Sequence, residues 1–92
     1  MHNLYRQEII NSELKSSSRL ILHTLLVRAD NETLIAFPSQ ETIAKEAGLS
    51  KPTVGKHTSN LENSGWLSIT QRGRTSGGQG WRNEYELTFP PT

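Results

Sequence analysis

The chain is 92 residues long, 33% hydrophobic and 21% charged, which describes one small folded domain and excludes both a disordered tail and a second core. It holds no cysteine, so disulfides and thiolate metal sites are excluded, and no window approaches the ~18 apolar residues of a membrane span. The formal net charge of +1 is unevenly spread: residues 1–49 set five bases against six acids, residues 50–82 set Lys51, Lys56, Arg72, Arg74 and Arg82 against Glu62 alone, and Glu84 and Glu86 follow.

That asymmetry puts a basic stretch where a polyanion would dock, although a solvated basic face explains it equally well. Met1-His2-Asn3 begins no signal peptide, and the lack of cysteine fits a cytoplasmic protein. His2, His23 and His57 lie far apart without metal-ligand spacing, so no metal site is expected.

From the start of the chain, Asn3 to Leu14 has helical spacing with Leu4, Tyr5, Ile9 and Ile10 as its apolar contacts. Two uses are open for these residues: cover over Leu22 and Leu26 in the same chain, or contact with a second copy. Ser16-Ser17-Ser18 offers caps for a helix from Ser18 to Ala29, whose Leu20, Ile21, Leu22, Leu25, Leu26 and Val27 imply a central helix covered on more than one side. Asp30-Asn31-Glu32 closes it, and Leu34 to Phe37 is a short β-capable run stopped by Pro38.

From Ser39 to Val54 two helix starts are separated by one glycine turn, the spacing of a helix-turn-helix. Ser39 and Ser50 are N-caps able to accept from orphan N–H groups, Glu41 adds a carboxylate at the positive end of the first helix, and Pro52 sits where a missing N–H costs little. Gly48 supplies the left-handed residue of the turn. Ile43, Ala44 and Ala47 mark the inner face of the first helix and Val54, Thr58 and Leu61 that of the second, with Ala44 small enough for a close crossing. Two helices of an ordinary small bundle would be the unremarkable alternative.

The second helix ends at 62–65, after which the period changes from helical to two. Trp66 to Arg72 and Trp81 to Phe89 alternate as strands, the latter with Trp81, Asn83, Tyr85, Leu87 and Phe89 on one face. Between them lies a polar loop, 73–80, with four glycines. The expected fold is therefore α+β, a winged helix-turn-helix: an N-terminal helical extension (1–14), a three-helix core and a C-terminal β-hairpin wing (together 15–89), and a tail (90–92). Pro90-Pro91-Thr92 reads as a domain edge, with a linker into a longer parent protein as one reading of it.

Taken together, Phe37-Pro38-Ser39-Gln40-Glu41-Thr42-Ile43-Ala44, Gly48-Leu49-Ser50, Thr53-Val54, Leu61, Gly65-Trp66-Leu67 and Arg82-Asn83-Glu84-Tyr85 resemble the winged helix-turn-helix domains of phage and plasmid replication proteins and small transcription regulators. The resemblance runs from about Ile9 to Leu87. It implies sequence-specific double-stranded DNA binding in replication initiation or transcription regulation of a phage or plasmid-like element, with a protein-interaction module on the same scaffold as the alternative. Two positions depart from the pattern: Gly55 replaces a long polar residue of the reading face, and His57 replaces a small apolar one.

Helical geometry with Val54, Thr58 and Leu61 inward turns Ser50, Lys51, Gly55, Lys56, Ser59 and Asn60 outward from a recognition helix at about 50–63. Lys51 and Lys56 can reach phosphates or guanine acceptors, and Thr53 and Ser50 hydroxyls can donate to phosphates, although Ser50 is better occupied as a cap. Asn60 fits adenine and a solvated helix end equally. Gly55 fits close approach of the backbone to DNA or simple tolerance. Ser39 and Gln40, at the start of the first helix, complete the expected contact set on the motif. Arg72, Arg74 and Arg82 in the wing (72–82) suit a phosphate ridge or a minor groove, against a plain charged hairpin tip. Trp66 and Trp81 fit core or rim packing better than base stacking, and His57 fits a structural role.

No convergent histidine–carboxylate set and no phosphate-binding glycine loop ahead of a helix occur, so neither enzyme activity nor a cofactor is expected. A homodimer on a repeated or palindromic site, or a replication or transcription partner protein, is expected to enlarge a small interface.

Overall fold

The structure, a computed structural model, describes residues 2–74 and 81–90, those at 71–74 and 81–82 by backbone alone. Its elements in order are α1 (His2–Asn11), α2 (Ser16–Arg28), β1 (Ile35–Ala36), α3 (Gln40–Ala47), α4 (Lys51–Asn63), β2 (Leu67–Arg74) and β3 (Trp81–Leu87). The strands form one antiparallel sheet in the order β1-β3-β2. Four helices and this small sheet make an α+β winged helix-turn-helix.

Two helix boundaries differ from the sequence reading. The first helix stops at Asn11, where the Ser12 hydroxyl donates to the Ile9 carbonyl at 2.6 Å and leaves the chain to turn before Leu14. The second starts at Ser16 and not Ser18, with Lys15 in the cap position and no side-chain cap bond. Ser18 is instead buried, its hydroxyl engaged with the Nδ1 of His57 at 3.1 Å. A hydroxyl taken up by a partner 39 residues away is not free to cap its own helix.

Among the described residues the core is one cluster. Ile21, Leu22, Leu25 and Leu26 of α2 meet Ile43, Ala44 and Ala47 of α3, Val54 and Leu61 of α4, and Tyr85 and Leu87 of β3. Tyr5 and Ile9 of α1 are completely buried in the same cluster, so the extension and the domain share a core, while Leu4 and Ile10 remain 65% and 53% exposed. α2 is covered on more than one side, as expected, by α1, α3, α4 and the sheet, but two of its apolar residues lie outside that cover. Leu20 is 46% and Val27 82% exposed, while Ile21, Leu22, Leu25 and Leu26 take the buried positions.

The strands keep their alternation with shifted ends: β2 runs Leu67–Arg74 and not from Trp66, and β3 stops at Leu87 and not at Phe89, whose ring leaves the strand to pack on Tyr5 while 43% exposed. Ile35 pairs with Glu86 and Ala36 with Tyr85, and on the other edge Leu67 pairs with Leu87 and Ile69 with Tyr85. Ahead of β1, Leu34 adopts a left-handed conformation at φ 58° and is buried. That conformation costs an L-residue about 1–2 kcal/mol, which the ~1.5–3 kcal/mol gained by burying a leucine side chain offsets. Its backbone is also fully used, with its N–H donating to Asp30 O at 2.8 Å and its carbonyl accepting from Leu87 N at 2.9 Å.

Candidate nucleic-acid interface

Both helices of the motif begin in the same way. Ser39 accepts the Thr42 N–H at 3.1 Å and Ser50 accepts the Thr53 N–H at 3.3 Å, each hydroxyl lying within hydrogen-bond distance of the threonine hydroxyl three residues on. The two serines are thereby committed to holding helix starts. Between them Gly48, left-handed at φ 71°, ends α3 and lets the Leu49 N–H return to the Ala44 carbonyl at 2.8 Å. The far end of α4 closes with a second left-handed glycine, Gly65 at φ 87°, whose N–H reaches Glu62 O while Trp66 N–H reaches Leu61 O.

With α4 fixed at both ends, its inward face is set by burial of Val54, Thr58 and Leu61. Thr58 satisfies its hydroxyl by donating to the Gly55 carbonyl at 3.1 Å. The opposite face presents Ser50, Lys51, Lys56, Ser59 and Asn60 to solvent, with Thr53 and Gly55 half-buried beside them. Gln40, at the start of α3, lies against this face: a Cβ built on Gly55 would meet its Nε2 at 3.8 Å, an ordinary contact. Gln40 thus adjoins the outward residues of α4, while Ser39 is exposed at the start of α3.

Arg72 and Arg74 belong to β2 and Arg82 to β3, so they stand on the same hairpin, with a register irregularity between Gln71 and Arg74. Their side chains, that of Trp81 and the loop tip at 75–80 lie outside the described residues. Trp66 is buried at the start of β2, where its ring meets Tyr5 edge-on with centroids 5.9 Å apart, which fits packing rather than base stacking.

Three polar ties that position this surface were not foreseen. The Glu62 carboxylate accepts the Ile69 N–H at 2.9 Å, fastening the end of α4 to β2 and hence to the hairpin. Arg28 donates through Nε to Glu46 at 3.0 Å and makes a second contact through its Nη2, joining α2 to α3. This pairing raises the Arg28 pKa and lowers that of Glu46, in both cases chiefly through the side-chain hydrogen bond. Third, Lys51 Nζ lies 3.4 Å from Glu41 Oε1 across the turn. The spacing of Glu41 and Lys51 on two consecutive helix starts was the one signal available in the sequence for any of these.

A family model described as a helix-turn-helix domain matches residues 12–67, which takes in α2, β1, α3 and α4. No curated protein and no solved structure matches the chain. Among the described residues no helix is long and apolar enough to cross a membrane.

Proposed function

Since the chain belongs to this helix-turn-helix family, we propose that it reads a specific double-stranded DNA site by laying α4 in the major groove and the β2–β3 hairpin along the neighbouring backbone. A helix-turn-helix domain is a DNA-binding unit. The observation that carries the finer reading is the exposed face of α4, on which Lys51, Lys56, Ser59 and Asn60 stand clear of the core along a helix pinned by its caps. Gln40 and Thr53 flank that face and suit phosphate contacts, and Arg72, Arg74 and Arg82 extend the positive charge along the hairpin. The site would be a replication origin or an operator of a phage or plasmid-like element, bound without chemistry of the protein's own in the cytoplasm.

Two copies on a repeated or palindromic site would supply the ~1,000–2,500 Å² usual for specific recognition. Leu4 and Ile10 of α1 and Leu20 and Val27 of α2 remain exposed, and they favour a protein contact, with a second copy or with a replication or transcription partner, in addition to DNA. Selection of bound sequences from random duplex DNA tests the reading. Enrichment of a motif with salt-dependent affinity is expected. No preference for any duplex at low salt would overturn it in favour of an interaction module.

A further inference from the structure

The Glu41–Lys51 pair joins the first turns of α3 and α4 on the surface assigned to DNA, with the two side chains 76% and 54% exposed. An exposed pair of this kind adds little to stability, and Ser39 already caps α3, so the fold has small need of the carboxylate. Beside a row of phosphates, a carboxylate is repelled and cancels the charge of the lysine it holds. Lys56 has no ion-pair partner among the described residues.

We propose that Glu41 is a specificity-determining residue, holding Lys51 out of indiscriminate phosphate contact so that Lys51 contributes only where the DNA offers better acceptors. The proposal rests on the DNA-reading function above. On random sequence, Lys51 keeps its bond to Glu41 and the pair adds no net attraction, leaving Lys56 and the hairpin arginines to supply sequence-independent binding. At a site that presents guanine O6 and N7 to the first turn of α4, Lys51 exchanges one carboxylate oxygen for two acceptors fixed in the groove. Glu41 therefore lowers affinity for the wrong DNA more than for the right one, which is discrimination by repulsion and not by an added contact.

The test measures binding of the whole chain to a random-sequence duplex and to a duplex selected from random DNA, over a range of salt. Glu41→Gln should bind the random duplex about fivefold tighter at low salt with a slope steeper by about one, and gain less on the selected site. In the Lys51→Gln background the gain from Glu41→Gln should shrink; an undiminished gain would reduce Glu41 to general repulsion and overturn the proposal. Lys51→Gln alone provides a separate arm, with a large loss expected on the selected site and little on random DNA, and equal losses would also overturn it. If the parent protein binds DNA but Glu41→Gln leaves both affinities unchanged, this proposal fails while the DNA-reading function stands. If the parent protein binds no duplex at low salt, both fall.

Discussion

The Tyr5 hydroxyl donates to the carbonyl of Trp66, sixty-one residues away, and the same carbonyl accepts the Thr88 N–H at 3.0 Å. One acceptor therefore gathers α1, the entry to β2 and the segment after β3. The Tyr5 ring adds edge contacts with Trp66 and Phe89 at centroid distances of 5.9 and 5.4 Å. Tyr5→Phe keeps the rings and is expected to cost about 1 kcal/mol in thermal or urea unfolding, whereas Tyr5→Ala should cost ~3–5 kcal/mol. Removing residues 1–8 would unseat Tyr5 and so damage the fold itself, which makes Leu4 and Ile10 the residues to substitute when self-association is examined.

Alkaline pH should act through the same residue. Burial raises the pKa of the Tyr5 hydroxyl well above the ordinary tyrosine value, and burial raises that of Tyr85 as well, opposed by its hydrogen bond with Asn83. A proton held more tightly in the folded chain than in the unfolded one favours folding fully below the unfolded pKa of about 10, and that contribution is lost as pH rises above it. Urea midpoints followed upward from neutral pH should fall beyond about pH 10, and fall less steeply in Tyr5→Phe. An identical alkaline slope in the variant would exclude Tyr5 as the responsible group.

The matching caps can be separated by function. Ser39→Ala and Ser50→Ala should each cost about 1 kcal/mol of stability. Only Ser50 begins the helix proposed to enter the groove, so its loss should also weaken DNA binding at temperatures where the variant remains folded. Equal binding losses from the two substitutions would argue that both helix starts touch DNA.

Gly55 is not required by the protein. A Cβ there meets nothing closer than Gln40 Nε2 at 3.8 Å, so Gly55→Ala should stabilise the free chain by roughly 0.5–1 kcal/mol through helix propensity. If the α4 backbone comes close to DNA at this point, the same variant should bind more weakly despite its higher melting temperature. A gain in both properties would show that the position is merely tolerant.

The charged residues divide by how they are held. Lys56→Ala is expected to weaken binding to all duplexes alike and to reduce the salt slope by about one, the behaviour of a phosphate contact. Arg72→Ala and Arg82→Ala on the hairpin should behave similarly if they follow the backbone ridge. Loss confined to A·T-rich flanks would point instead to the minor groove.

What the sequence made legible was what is local. The caps at Ser39 and Ser50, the left-handed glycine between them and the inward set Val54, Thr58 and Leu61 depend on neighbours within one or two turns, and each stands as its residue type dictates. The helix start at Ser16 was obscured because three adjacent serines are equivalent as caps and only the distant His57 distinguishes Ser18. Likewise Glu62 is an ordinary helix-surface acid until β2 brings the Ile69 N–H to it, and Val27 looks like core until the packing leaves its side of α2 open. Of the candidate interface, the face of α4 could be read from periodicity, but the pairing that restrains Lys51 needed two helix starts placed side by side.

The strand order β1-β3-β2 puts the last strand made in the middle of the sheet. During synthesis the two-residue β1 and the left-handed turn at Leu34 emerge early, yet the Leu87 N–H that engages Leu34 and the Tyr85 and Glu86 backbone that pairs with β1 arrive some fifty residues later. Until then β2 has no neighbour on which to register, Leu67 and Ile69 lack their partners, and the hairpin cannot be aligned with the end of α4. Helical segments can form on the ribosome, whereas closure of the long-range pairs must wait for β3, which makes it the slow and cooperative step. Nascent chains stalled before residue 81 should accordingly remain sensitive to protease between β1 and β2, and protection should arrive abruptly once residues up to Leu87 have left the tunnel.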